Sequence, residues 1–145
     1  MWRYIKNYPF SIIFFLVITY LSLVQPPQIG TLLFKGWDKF VHFCMYGGLS
    51  GMFWIEFLLK HRKKKANYIY AVVGAVLYPV LLGGLLEICQ NYFTKYRSGD
   101  WMDMLSNTGG VIIASIIAWF ILRPLILRNT KEIEKTAETE ETGSA

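Results

Sequence analysis

The sequence predicts an all-α membrane protein, a bundle of four transmembrane helices with both termini in the cytoplasm. Three observations lead there. The first is composition: 54% of the 145 residues are hydrophobic and only 17% are charged, where a soluble domain averages about a quarter charged. A soluble chain this short has too high a surface-to-volume ratio to hide so much apolar surface. The second is a set of four long apolar stretches. The third is the uneven placement of Lys and Arg among the connections. Together these disfavour a soluble enzyme, a disordered chain and a disulfide scaffold. A net charge of +5 would suit nucleic acid, but the charges sit in short blocks beside the apolar stretches, so no nucleic-acid partner is expected.

The first stretch runs from Pro9 to Val24. A bilayer core of roughly 30 Å needs about 20 apolar residues as helix, and this stretch reaches that length if Tyr4 to Tyr8 lie in the interface. Its basic start, Arg3 and Lys6, resembles that of a signal peptide. The run Leu23-Val24-Gln25-Pro26-Pro27 holds no small-x-small cleavage site, however, which predicts an uncleaved helix. The second stretch (Phe40 to Leu59), the third (Tyr68 to Cys89) and the fourth (Met104 to Leu127) are long enough as they stand. Lipid offers no partner for open backbone groups, so each stretch should be helical. Pro79 should kink the third. Gly47 and Gly51, four residues apart, mark a close helix approach, with Gly83, Gly84, Gly109 and Gly110 near the same level. Residues 1–128 therefore read as the four-helix transmembrane domain. Residues 129–145, rich in Glu and Thr with little to bury, read as a disordered cytoplasmic tail.

Orientation follows from the basic residues. Eleven Lys and Arg flank the ends shared by the termini and the connection from Lys60 to Lys65; four, Lys35, Lys39, Lys95 and Arg97, lie on the other side. The positive-inside rule puts the first group in the cytoplasm. Aromatic residues agree, with Tyr8, Trp54 and Tyr68 at the inner boundary and Trp37, Tyr92 and Trp101 at the outer one. The basic run Lys60 to Lys65 reads as a topology anchor. Glu56, near the inner end of the second stretch, is expected to pair with Lys60 at i,i+4. Cys44 and Cys89 are expected as small apolar residues in helix interfaces, not as a disulfide.

Polar residues gather at one depth. Asp38, Lys39 and His42 open the second stretch, Glu87 and Gln90 close the third, and Arg97, Asp100, Asp103 and Asn107 lead into the fourth, all on the outer side. Asp38 and His42 share a helix face, as do Asp103 and Asn107. At about 100° per residue Asp100, Asp103, Asn107 and Gly110 fall within a sector of about 80°. Charges inside spans are costly and commonly face protein, water or a ligand. A polar cup opening outward is expected; the alternative is that these groups merely neutralise one another, Arg97 with Asp100 or Asp103 and Lys39 with Glu87.

These segments resemble a known pattern. Asp38-Lys39-Phe40-Val41-His42-Phe43 with Tyr46 resembles the second-helix signature of the VanZ-like family. Glu87-Ile88-Cys89-Gln90 resembles its third-helix end, and Arg97, Asp100, Asp103, Asn107 and Gly109 or Gly110 resemble the lead into its last helix. The resemblance covers roughly residues 9–127 and implies a multi-pass protein of the bacterial cytoplasmic (inner) membrane. The founding member is associated with low-level resistance to the glycopeptide teicoplanin; the resemblance carries no catalytic assignment.

The expected role is binding within the cell envelope. Donors (Lys39, Arg97, Asn107) and acceptors (Glu87, Asp103) suit a membrane lipid or the head group of a lipid-linked peptidoglycan precursor, Arg and Lys being apt for phosphate. Such binding would affect glycopeptide susceptibility. One alternative is an intramembrane enzyme on a lipid-linked substrate, with Glu87 and His42 dividing acid and base work and Asp100 and Asp103 holding a divalent ion. Another is an oligomeric transporter or scaffold component. There is no Gly-rich phosphate loop, paired-Cys motif, His-x-x-x-His motif or nucleophile motif, so no cofactor or resident metal is expected.

Overall fold

A computed structural model of the chain describes residues 7–24, 36–63, 66–93 and 100–143. The described residues are helical apart from short connections. Helix α1 is Pro9–Leu23 and α2 is Trp37–His61. Helix α3 consists of Tyr68–Val72, a π-helical turn at Val73–Leu77, and Tyr78–Phe93. Helix α4 consists of Trp101–Ile117, a second π-helical turn at Ala118–Leu122, and Arg123–Gly143.

Both π turns end two residues before a proline, Pro79 and Pro124. A proline in a helix has no N–H to donate and its ring crowds the carbonyl one turn back. Widening the preceding turn relieves that conflict: Tyr78 N–H bonds Val73 O and Arg123 N–H bonds Ala118 O, each five residues back. The disruption expected at Pro79 thus takes the form of a π turn, and Pro124 repeats it.

Helix α2 is the centre of the bundle, and its longest contact is with α4. At the crossing, Gly47 and Gly51 face Gly110 and Ala114. A Cβ on Gly110 would overlap the Phe43 carbonyl oxygen, and one on Gly47 would lie 3.1 Å from Gly110 O. The glycines are therefore what lets the two backbones touch. Buried apolar residues form two clusters along this axis. Ile18, Tyr46, Leu49, Leu82, Leu86 and Val111 pack toward the polar end. Trp54, Phe57, Leu58, Ala71, Ala75 and Ala118 pack toward the other. Between them a short polar seam joins α2 to α4. Trp54 Nε1 donates to Ser115 Oγ at 3.1 Å, and Ser115 Oγ donates to Val111 O at 2.8 Å. Trp54 is thus a buried core residue.

Among the described residues two helices are long and apolar enough to cross a membrane, over Tyr68–Tyr92 and Trp101–Thr136. Helix α1 is apolar but has 15 residues. Helix α2 has 25 residues, but as the central helix it carries polar side chains at both ends, which lowers its apolar average. At its far end lies a correction to the expected Glu56–Lys60 pair. Glu56 instead receives the N–H groups of Phe10 (2.9 Å) and Ser11 (3.1 Å) and the Ser11 hydroxyl. These are the orphan donors of the first turn of α1, where a carboxylate also meets the positive end of the helix dipole. Lys60 lies over the Tyr8 ring, 5.3 Å from its centroid.

The same end of the bundle holds Arg123, whose Nε donates to Tyr68 OH at 3.1 Å and whose guanidinium stacks 4.5 Å from the Trp119 ring. Helix α4 continues past Asn129 to Gly143. Glu, Lys, Ala and Arg favour helix even with nothing to bury, and the ion pairs Lys63–Glu134 (3.2 Å) and Arg128–Glu132 (3.6 Å) brace it. Cys44 and Cys89 are free, and Cys44 is exposed instead of lying in an interface.

Candidate functional site

The opposite end of the bundle is polar because three helix ends meet there. The start of α2 supplies Asp38, Lys39 and His42; the start of α4 supplies Asp103 and Asn107, with Asp100 as N-cap; the last turns of α3 supply Glu87. Asp100 suits its position, since a carboxylate outside the first turn can accept an orphan N–H. Its Oδ1 takes the Met102 N–H at 3.0 Å. That bond, and after it Lys39, hold the Asp100 carboxyl below the ordinary carboxylate range.

Lys39 ties α2 to α4. Its Nζ lies 2.9 Å from Asp100 Oδ2 and 3.3 Å from Asp103 Oδ1. This differs from the expected Lys39–Glu87 pair: Glu87 accepts the backbone N–H of Asp100 through Oε2 at 3.2 Å. His42 lies beneath, 2% exposed. Its Nδ1 is 3.0 Å from Asn107 Oδ1 and 3.6 Å from Glu87 Oε1, and its Nε2 is 3.9 Å from Asp38 Oδ1. The ring stacks on Tyr46 with centroids 6.5 Å apart. Helical spacing alone places Tyr46 one turn below His42.

Asn107 is buried, and its Nδ2 has no hydrogen-bond partner among the described residues. It lies against α3 at Gly83, where an added Cβ would come within 3.0 Å of Nδ2 and 3.2 Å of Tyr46 Cε1. Gly83 is a residue that sequence reasoning placed only by level. Its specific task is to leave room for the Asn107 amide.

The structure therefore gathers Asp38, Lys39, His42, Glu87, Asp100, Asp103 and Asn107 at one place. Gln90 stands apart from this group by function: buried, it donates from Nε2 to Ser22 O at 2.8 Å, fastening the end of α1 to α3. Arg97 lies outside the described residues. Asp38 sits on the rim with its side chain 53% exposed, while His42, Glu87, Asp103 and Asn107 are buried beneath it.

A family model described as VanZ/LLP1 matches residues 2–123. The chain belongs to the VanZ/LLP1 family. No curated protein and no solved structure matches it. The VanZ/LLP1 match spans every helix end that supplies the polar group and stops at Arg123, just past the second π turn. The exposed last part of α4 is thus an addition to the VanZ/LLP1 region. The site itself is made entirely within it.

Proposed function

We propose that this VanZ/LLP1 protein is a multi-pass protein of the bacterial cytoplasmic membrane. All four helices cross it and both termini face the cytoplasm. The polar group binds the head group of an envelope lipid or lipid-linked peptidoglycan precursor at the outer surface. The membrane reading is supported by the bundle's apolar exterior: Ile13, Val17, Leu81, Leu85, Ile116 and Phe120 are all exposed. Water would make so large an apolar surface aggregate, whereas lipid solvates it. The orientation draws support from the basic residues around Lys60 and Arg123, which lie at the end opposite the polar group.

One observation carries the binding reading. Buried His42, Glu87, Asp103 and Asn107 lie under a half-exposed Lys39–Asp100 lid at one end of the bundle. Sustaining buried polar groups at this depth costs stability, and a polar ligand at head-group level gives them a use. Bound precursor would be masked or repositioned against a glycopeptide such as teicoplanin, lowering susceptibility. The test is to purify the chain with native lipids and identify what co-elutes by mass spectrometry, with Glu87→Gln as control. A head-group class lost in Glu87→Gln supports the site; identical lipids in both remove it. Expression in a glycopeptide-sensitive host, with no change in teicoplanin susceptibility, removes the resistance part.

The 3.6 Å approach of His42 to Glu87 favours a second reading, an intramembrane enzyme in which the two share proton transfer. A change in envelope lipids on deletion, reversed by the intact chain and not by Glu87→Gln, would support it over binding alone.

A further inference from the structure

We infer that the groove between the first half of α3 and the middle of α4 holds one acyl chain of a phospholipid of net negative charge, with the lipid phosphate on Arg123. The groove has a volume of about 320 Å³ and is walled by Val72 and Val76 of α3 and by Ile112, Ile116, Trp119 and Phe120 of α4. Val72 and Val76 are one turn apart, as are Ile112, Ile116 and Phe120, so two apolar rows face each other. Trp54 and Ser115 complete the lining. Their polar atoms are already engaged: Trp54 Nε1 donates to Ser115 Oγ, which donates to Val111 O. Neither side chain sets an unmet donor against a hydrocarbon chain. Both π turns border the groove, Val76 belonging to one and Trp119 and Phe120 to the other. Turns of this kind are frequent where helices shape a ligand site.

Charge at one end of the groove identifies the occupant. Arg123 follows Trp119 by one turn and lies at the basic end of the bundle. A long basic side chain near a membrane surface ordinarily extends outward to water. Arg123 is instead pinned across the seam between α3 and α4. Its Nε donates to Tyr68 OH at 3.1 Å, and its guanidinium lies 4.5 Å from the Trp119 ring and 5.0 Å from the Tyr68 ring. Its neighbours Lys63 and Arg128 are paired with Glu134 and Glu132. Arg123 has no carboxylate partner among the described residues, and no acceptor there meets its two terminal amino groups. A planar guanidinium with both of these groups available matches a phosphate, which accepts two parallel N–H bonds. A zwitterionic lipid would bring its own cation against the same guanidinium, and like charges repel. A lipid of net negative charge brings none.

Length agrees as well. From Ile112 to Phe120 the helix rises about 12 Å, close to the roughly 15 Å of hydrocarbon in one leaflet. A cation at the mouth and an apolar channel of that length fit a lipid and not a soluble anion. The inference rests on the membrane-spanning reading and not on what the polar end binds, since the two sites lie at opposite ends of the bundle.

The rival account is a belt of basic and aromatic anchors that any lipid satisfies. Native mass spectrometry of the full-length chain separates the two. The protein is extracted from the membrane fraction in detergent and stripped of lipid. It is then titrated with dioleoyl phosphatidylglycerol, with dioleoyl phosphatidylcholine, and with glycerol 3-phosphate, which has no chains. The expected result is one phosphatidylglycerol retained per chain, about 10-fold tighter than phosphatidylcholine, and no retention of glycerol 3-phosphate. Arg123→Gln should abolish the preference. Ile116→Trp, which fills the groove from an exposed position, should weaken phosphatidylglycerol binding by about 10-fold. Arg128→Gln, whose side chain is 70% exposed, should change nothing. Equal retention of the two lipids overturns the inference, as does a preference that Arg123→Gln leaves intact. Binding unchanged in Ile116→Trp also overturns it, and that variant breaks no hydrogen bond, so it reports even where Arg123→Gln does not fold. Glycerol 3-phosphate bound as well as the lipid would remove the groove as the seat of a chain. A chain recovered outside the membrane fraction would overturn the membrane reading together with this one, whereas a membrane-bound chain without the lipid preference overturns this one alone.

Discussion

The contact between Glu56 and the start of α1 gives a sharp prediction, because two explanations of one buried carboxylate differ in size. Glu56 is 9% exposed, and its two oxygens take three donors, Phe10 N–H, Ser11 N–H and Ser11 Oγ–H. Glu56→Gln keeps the shape but retains only one acceptor oxygen, and its amide protons then oppose the N–H that the other oxygen received. Ser11 can turn its hydroxyl, but a backbone N–H cannot be redirected. One unsatisfied buried donor costs about 1–3 kcal/mol, and the charge-assisted bonds it replaces were worth more than neutral ones. Glu56→Gln is therefore expected to destabilise by about 2 kcal/mol, and Glu56→Ala, which strands both N–H groups, by about 3–4 kcal/mol. Lys60 is exposed and touches Tyr8 only through a cation–π contact, so Lys60→Ala should cost about 0.5 kcal/mol. Equilibrium unfolding in mixed micelles of rising SDS fraction reads all three. A Glu56→Gln loss no larger than that of Lys60→Ala would refute the capping argument, since the i,i+4 ion pair would then suffice.

Other expectations follow from the same geometry. Gly110→Ala places a methyl on the Phe43 carbonyl, a backbone atom that cannot step aside, and should cost about 3 kcal/mol or more. Gly84→Ala meets only Met104 Cε at 3.7 Å and should be neutral or stabilising by up to about 1 kcal/mol; monodisperse yield on size-exclusion chromatography after heating separates the two. Asp100 has a carboxyl pKa lowered in the folded state, so its contribution is present above the ordinary value of 3.8 and is lost as pH falls below it. Unfolding followed between pH 5 and 2.5 should show an acid-side loss that is smaller in Asp100→Asn, which keeps an N-cap acceptor but no charge. Gly83→Ala should press the Asn107 amide and tilt it from His42, and unfolding in detergent should show a loss of about 1–3 kcal/mol.

What was legible in the sequence was whatever local periodicity determines. Helical spacing put Asp38 with His42 and Asp103 with Asn107 on common faces, and the apolar runs located all four described helices, although the fourth runs on from Leu127 to Gly143. Gly47 and Gly51 announced a close approach, although only the fold names Gly110 and Ala114 as the surfaces approached. Partner choice between helices was not legible, because many pairings satisfy the same charges. Lys39 could reach α3 or α4 from its position, and the fold gives it to Asp100 and Asp103.

Glu56 shows the limit most clearly. A carboxylate four residues before a lysine has a sufficient local explanation, and nothing in the spacing points 45 residues back to Ser11. The discriminating signal is burial: an exposed i,i+4 pair is worth a few tenths of a kcal/mol, too little to hold a carboxylate inside a bundle. A charge found within an apolar stretch therefore requires several donors, and the open N–H groups at the start of a neighbouring helix are the nearest supply. The same reasoning applies at the other end. Asp103 is buried beside Lys39 and within reach of Asp38 and His42. Asp103 takes its ammonium from Lys39 on another helix, as Glu56 takes its N–H groups from α1, so each of these buried carboxylates is answered by a neighbouring helix and not by its own.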